Sequence, residues 1–274
     1  MNRRTFLALG LTAAAAAALS ACGKKEQDSG AAEGGLKPVK LGTLSGPHAE
    51  VAEVAAKVAA QKGLKVQVVE FSDYAQVNEA LNARDIDANA FQHVPYLNKA
   101  IQSKGYKFTA LGKTVIFPIG VYSLKIHSKD EIHDGGLVTV PSDAANQGRG
   151  LQLLERNGII RLREGTGSHA TVHDIVDNPK HLKFREVESA NLGRTLPDVE
   201  FAVINGSWAV KSNLTPSRDA FLLEGADSDF ANVLVVQTDS KDRPEFKILL
   251  ESFQSPEVKD FVNNKYKGSV LAAF

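Results

Sequence analysis

Arginine can hold a carboxylate through parallel hydrogen bonds, an asparagine amide donates and accepts at one point, and aromatic rings wall in an apolar chain. In this sequence these residue types recur just beyond short β-branched runs. Tyr74 follows one such run, and Phe91, His93 and Tyr96 lie together in Phe91-Gln92-His93-Val94-Pro95-Tyr96. Asn146 and Arg149 follow a third run, Asn205 and Trp208 a fourth. Taken singly, Phe91 and Tyr96 fit a core, Arg149 a solvated helix face and Asn205 a turn. Their joint placement at strand ends, in both halves of the chain, points to one binding cleft.

Other chemistries lack carriers. Gly148-Arg149-Gly150 has neither the GK[ST] ending of a phosphate loop nor the spacing of a dinucleotide fingerprint. His169 and His173 stand four apart, the spacing of two metal ligands on one helix face, and keep open a metal-dependent enzyme; no acidic residue completes an HExxH pattern there. No GxSxG elbow occurs, and the single cysteine, Cys22, lies near the N-terminus, so nucleophilic catalysis has no visible carrier. The expectation is a non-enzyme with no cofactor and no metal. One cysteine also excludes a disulfide framework, a zinc site built from four cysteines and a CxxC redox centre. The 32 basic residues balance 32 acidic ones, which removes the electrostatic attraction a nucleic-acid binder depends on. At 274 residues and 43% hydrophobic, the chain can bury one large core or two smaller ones.

The first residues read as an address. Arg3 and Arg4 precede the uncharged apolar run 6–19, which ends at Leu19-Ser20-Ala21-Cys22. That is the secretory pattern, and the run is shorter than the ~20 residues a permanent membrane helix needs. It resembles the lipobox of bacterial lipoproteins, in which cleavage leaves Cys22 at the new N-terminus to carry lipid, palmitate included. Arg3-Arg4-Thr5-Phe6-Leu7 also resembles the core of a twin-arginine export signal. Residues 22–36, rich in Gly, Lys, Glu, Ser and Ala, read as a flexible tether. Residues 1–21 are thus expected to be a signal peptide, and the mature chain to be anchored in the bacterial cell envelope, facing the periplasm or the exterior.

Strands and helices must position the cleft residues. Runs 39–44, 65–70 and 86–91 read as strands, with helices opening after Pro47, at Asp73-Tyr74-Ala75-Gln76 and at Pro95. Residues 115–124 read as one long strand, 137–140 as another, then a helix capped by Ser142 or Asp143. Further on, 171–177 reads as a helix, 182–187 as a strand, 189–196 as a helix, 199–204 and 232–237 as strands, and 244–266 as two helical stretches. Alternation of this kind argues for an α/β protein with mostly parallel sheets, whose ligands bind beyond the carboxyl ends of strands. Two lobes fit the length: 37–125 with 234–274, and 126–233. The run around 117–123 crosses to the second lobe and 232–237 returns, a hinge pair able to close on a solute.

Six segments carry a family resemblance: FSDYAQVNEAL (71–81), DIDANAFQHVPYL (85–97), FPIGVYSLK (117–125), PSDAANQGRGLQLL (141–154), VINGSWA (203–209) and ANVLVV (231–236). They resemble, in order and over the whole mature body, the methionine-binding lipoproteins of the NlpA/MetQ type. The resemblance implies a two-lobed periplasmic-binding-protein fold, type II-like, with two hinge crossings. It implies a monomeric receptor that captures methionine and delivers it to the permease and ATPase of an ABC importer. The family's ligand positions fall on Tyr74, Phe91, His93, Tyr96, Asn146, Arg149, Asn205 and Asn232. Trp208 stands where the family usually has tyrosine, and Ser207 where asparagine or threonine is commoner, which leaves D-methionine, a methionine derivative, a dipeptide or another amino acid as alternative ligands.

Overall fold

The computed structural model describes residues 36–225 and 228–274; the expected signal peptide, Cys22 and all of the tether except Leu36 lie outside the described residues. The first elements alternate strand and helix: the strands Val39–Leu44, apart from Lys40, and Ala88–His93 are buried along both faces, as strands covered by helices require, and the edge strand Val66–Phe71 is half-buried. In chain order they are β1 (Val39–Leu44), α1 (Pro47–Gln61), β2 (Val66–Phe71), α2 (Tyr74–Asn82), β3 (Ala88–His93), α3 (Val94–Lys104) and β4 (Phe108–Lys113). β1 pairs in parallel with β2 and β3, so the carboxyl ends of all three lie along one edge.

The chain then crosses. β5 (Val115–Ile116) and β6 (Gly120–Tyr122) belong to different sheets, so the run read as one strand is two. Pro118, between them, has no N–H to continue a ladder. The second lobe follows with β7 (Leu137–Pro141), α4 (Ala144–Arg156), β8 (Arg161–Leu162), β9 (Ile175–Asp177), β10 (Lys183–Val187), β11 (Phe201–Ile204), α5 (Gly206–Lys211), α6 (Pro216–Asp219) and β12 (Ala220–Leu223). The chain returns as β13 (Asn232–Gln237), α7 (Pro244–Phe253), α8 (Pro256–Tyr266) and β14 (Leu271–Ala272).

Two five-stranded sheets result, ordered β2-β1-β3-β13-β4 and β10-β7-β11-β6-β12. In each, three parallel strands are joined by antiparallel ones: β13 to β3 and β4, β6 to β11 and β12. This is a two-lobed α/β fold with two crossings, and three apolar clusters fill it. One packs α1, α7 and α8 on the first sheet, and another packs α4 on the second. The third, with Phe91, Val77 and Leu81 from one side and Tyr122, Ile204 and Trp208 from the other, joins the lobes.

Two expected helices are shorter elements. Residues 171–177 form a single 3₁₀ turn, Val172–Asp174, followed by β9; the capping box of Thr171 and Asp174 starts one turn, and Ile175 and Val176 then favour extended chain. Residues 189–195 are 3₁₀ (Ser189–Thr195), with Gly193 in close contact with Ser212.

Candidate functional site

Six connections converge between the lobes. After β1, Gly46 adopts a left-handed φ of 84° and Pro47 opens α1, which brings His48 to the rim. After β2, Asp73 caps α2 by accepting from Gln76 N at 3.0 Å and sets Tyr74 at the first helical position. His93 caps α3 through Nδ1, which accepts from Tyr96 N at 3.2 Å. Asp143 caps α4 and accepts from Asn146 N at 2.9 Å. Asn205 and Ser207 open α5, and Asn232 begins β13. His48, Tyr74, His93, Tyr96, Asn146, Asn205, Ser207 and Asn232 line one pocket together with Phe91, Gln92, Phe117 and Arg149.

The amides are held in one orientation each. Asn146 Nδ2 donates to both oxygens of the Asp143 carboxylate, at 3.0 and 3.1 Å, so its Oδ1 is an acceptor. That oxygen receives Asn205 Nδ2 at 2.7 Å and His93 Nε2 at 3.1 Å. With Nδ1 accepting, His93 must carry its proton on Nε2. Asn232 Nδ2 donates to Phe91 O at 3.0 Å and to His48 Nε2 at 3.1 Å, which places the His48 proton on Nδ1. Burial lowers the pKa of both rings to about 3, and the Arg149 charge adds to the effect at His93. Burial raises the Asp143 carboxyl, against the lowering by its Asn146 hydrogen bonds.

Arg149 is the buried cation of the site. Nε donates to Glu224 Oε1 at 3.0 Å, Nη2 donates to Glu224 Oε2 and to Phe117 O at 3.0 Å, and the guanidinium lies 4.7 Å from the Phe230 ring centroid. Among the described residues Nη1 has no partner. Asn205 Nδ2 keeps one unused hydrogen, and Asn232 Oδ1 has no donor among the described residues. The cavity thus presents donors at Arg149 Nη1 and Asn205 Nδ2 and an acceptor at Asn232 Oδ1. The remaining walls are aromatic: Tyr74 lies 5.9 Å from Phe91, 5.5 Å from Tyr96 and 5.9 Å from Trp208, and His48 stacks on Phe117 at 3.9 Å.

The glycines beside Arg149 have a packing role. A Cβ on Gly148 would sit 2.3 Å from Ser168 O, and one on Gly150 2.8 Å from Val203 Cγ1. They let α4 sink against the second lobe and set the depth of Arg149.

All eight residues singled out in the sequence line this one cavity. Trp208 backs Tyr74 instead of lining it. Sequence reasoning missed His48, Gln92, Phe117 and Ser207 on the walls and Glu224 behind Arg149. His48 carried the same strand-to-helix signal as the others; Glu224 lies in a stretch without periodicity. His169 and His173 fall on separate 3₁₀ turns, Gly167–His169 and Val172–Asp174, and not on one helix face. No cluster of three or more metal-ligating side chains occurs among the described residues.

The chain is similar to several known proteins over most of its length. The family model described as NlpA lipoprotein matches residues 39–274. The D-methionine-binding lipoprotein MetQ of Salmonella typhimurium is 43% identical over 271 residues, covering 98% of this chain and 97% of that protein. A solved nutrient-binding protein from Burkholderia cenocepacia, bound to methionine, superposes with a TM-score of 0.84 at 46% identity, covering 86% of this chain and all of that one. A periplasmic substrate-binding protein of an ABC transporter from Coxiella burnetii superposes at 0.83 with 42% identity, covering 86% and 100%.

Proposed function

The chain belongs to the NlpA lipoprotein family, and we propose that it is the receptor of an ABC importer, capturing methionine or a close analogue between its lobes. The observation that carries this reading is the match between unused hydrogen-bonding capacity and an amino-acid zwitterion. Arg149 Nη1 and Asn205 Nδ2 take the α-carboxylate, and Asn232 Oδ1 takes the α-ammonium. Tyr74, Phe91, His93 and Tyr96 enclose the side chain, where a thioether gains about 0.3–1.5 kcal/mol per aromatic contact over an equally long polar chain. With both histidines neutral, the walls add no charge that would repel the ammonium.

The same reading covers the rest of the molecule. Residues 1–21 are removed, lipid on Cys22 anchors the chain to the membrane, and the body faces the periplasm or exterior as a monomer and performs no catalysis. Lobe 1 comprises 37–125 and 234–274 and lobe 2 comprises 126–233, with β6 adding its pairing to the second sheet.

Calorimetry with L- and D-methionine tests the reading. Replacing both members of the buried pair, Arg149→Gln with Glu224→Gln, avoids leaving either charge unpartnered. This double variant is expected to fold and to bind methionine at least about 100-fold more weakly, the order expected when a buried carboxylate loses its cation. Wild-type affinity in that variant would sink the assignment.

A further inference from the structure

Glu224 stands at the end of β12, on the second crossing, with its side chain 5% exposed. Both of its carboxylate oxygens engage Arg149, and Oε2 also accepts from Ile119 N at 3.2 Å, while Glu224 N donates to Ile119 O at 3.0 Å. The carboxylate is therefore fixed to both crossings at once: through Ile119 to the first and through its own backbone to the second. It occupies the Nε–Nη2 edge of the guanidinium, so only Nη1 remains for a ligand. It also cancels the guanidinium charge at contact distance, in a setting where little water screens the pair.

A bare buried guanidinium attracts any carboxylate and repels any ammonium. A guanidinium already paired with a carboxylate does neither strongly, and discrimination passes to the hydrogen-bonding groups around it. We propose that Glu224 is a positioning and specificity residue: it aims Nη1 into the cleft and, by neutralising Arg149, biases the site toward net-neutral amino-acid zwitterions and against organic anions. This rests on the reading of Arg149 as the carboxylate-holding group. Asp143, the other buried carboxylate near the cleft, does not substitute for it, because its oxygens are taken by Asn146 and approached by Ser189.

The test compares methionine with its 2-hydroxy analogue, which keeps the carboxylate and thioether but has no ammonium. Both are titrated calorimetrically into the full chain purified in detergent. In Glu224→Gln, the affinity ratio of hydroxy analogue to methionine is expected to rise about tenfold or more, a free-energy change of about 1.4 kcal/mol. In Glu224→Asp, which keeps the charge but shortens the reach, both affinities are expected to fall while the ratio stays within about threefold of wild type. A purely structural role would weaken both ligands equally in Glu224→Gln, and that result overturns the inference; so does an unchanged pair of affinities. If Glu224→Gln does not fold, Glu224→Asp carries the test alone, and either wild-type affinities or a shifted ratio overturns it. Wild-type methionine binding by the Arg149→Gln, Glu224→Gln double variant overturns the carboxylate reading of Arg149 and this inference with it. Equal weakening in Glu224→Gln overturns this inference only.

Discussion

At the scale of the residue, what distinguishes this site is that its amides have no freedom to turn. An asparagine side chain presents nearly the same shape in either orientation, so its neighbours decide which end faces a ligand. Phe91 O and His48 Nε2 fix Asn232 with its oxygen toward the cleft; the Asp143 carboxylate fixes Asn146, and Asn146 in turn fixes Asn205. The arrangement requires neutral histidines, which has a cost in acid. Folded, His48 and His93 take up protons only near pH 3; unfolded, each does so near 6.5. Between these values the unfolded state binds more protons, so stability falls as pH falls, by up to about 1.4 kcal/mol per pH unit for each ring. Above pH 6.5 the effect is absent, and Asp143, with its raised pKa, works in the opposite sense. Urea unfolding at pH 6.5, 5.75 and 5.0 should show this decline, and His48→Gln should remove about half of it; an equal slope in the variant refutes the account for His48. Most of these residues were legible from sequence because strand ends advertise a cleft. Glu224 was not, because its meaning depends on Arg149, and a contact between two distant chain segments leaves no local pattern.

At the scale of the element, the cleft depends on helices that begin very close to other backbone. Asn205 and Ser207 reach the cavity because Gly206 lets α5 start against the first crossing, where a Cβ would lie 2.5 Å from Pro118 O. Backbone cannot swing aside as a side-chain tip does. Gly206→Ala is therefore expected to destabilise the fold by about 1–3 kcal/mol, read from urea unfolding, and to weaken methionine binding by displacing both neighbours. Unchanged stability would show that α5 is free to shift. The strands and helices of the first lobe were readable because β-branched runs, Pro47, Gly63, Asp73 and Pro95 punctuate them locally. β4 was not anticipated: Phe108-Thr109-Ala110-Leu111-Gly112-Lys113 mixes polar and small residues, and its strand character comes from pairing with β13. The 115–124 run misled for the converse reason. Most of its residues suit a strand, but Pro118 and the demands of the crossing divide it between two sheets.

At the scale of the whole molecule, the two lobes meet through few direct polar contacts outside the cavity. One is Lys211 on α5, whose Nζ donates to Ser45 Oγ at 2.9 Å across the cleft while lying 4.4 Å over the Trp208 ring. A contact made only when the lobes are together strengthens ligand retention without touching the ligand. Lys211→Ala should therefore speed methionine release about 2- to 10-fold in stopped-flow measurements, the worth of a hydrogen bond of about 0.5–1.5 kcal/mol, with little change in the association rate. An unaltered release rate would mean that the bridge is incidental. The order of strands has a consequence in time as well as in space. Every strand of the second sheet comes from one uninterrupted stretch, β6 to β12, whereas the first sheet has β13 threaded between β3 and β4, and its core waits for α7 and α8. As the chain emerges from the ribosome or the export channel, the second lobe can condense while the first still lacks a middle strand. During that interval β3 and β4 have facing edges with nothing between them, open to any extended segment that arrives before the chain's own.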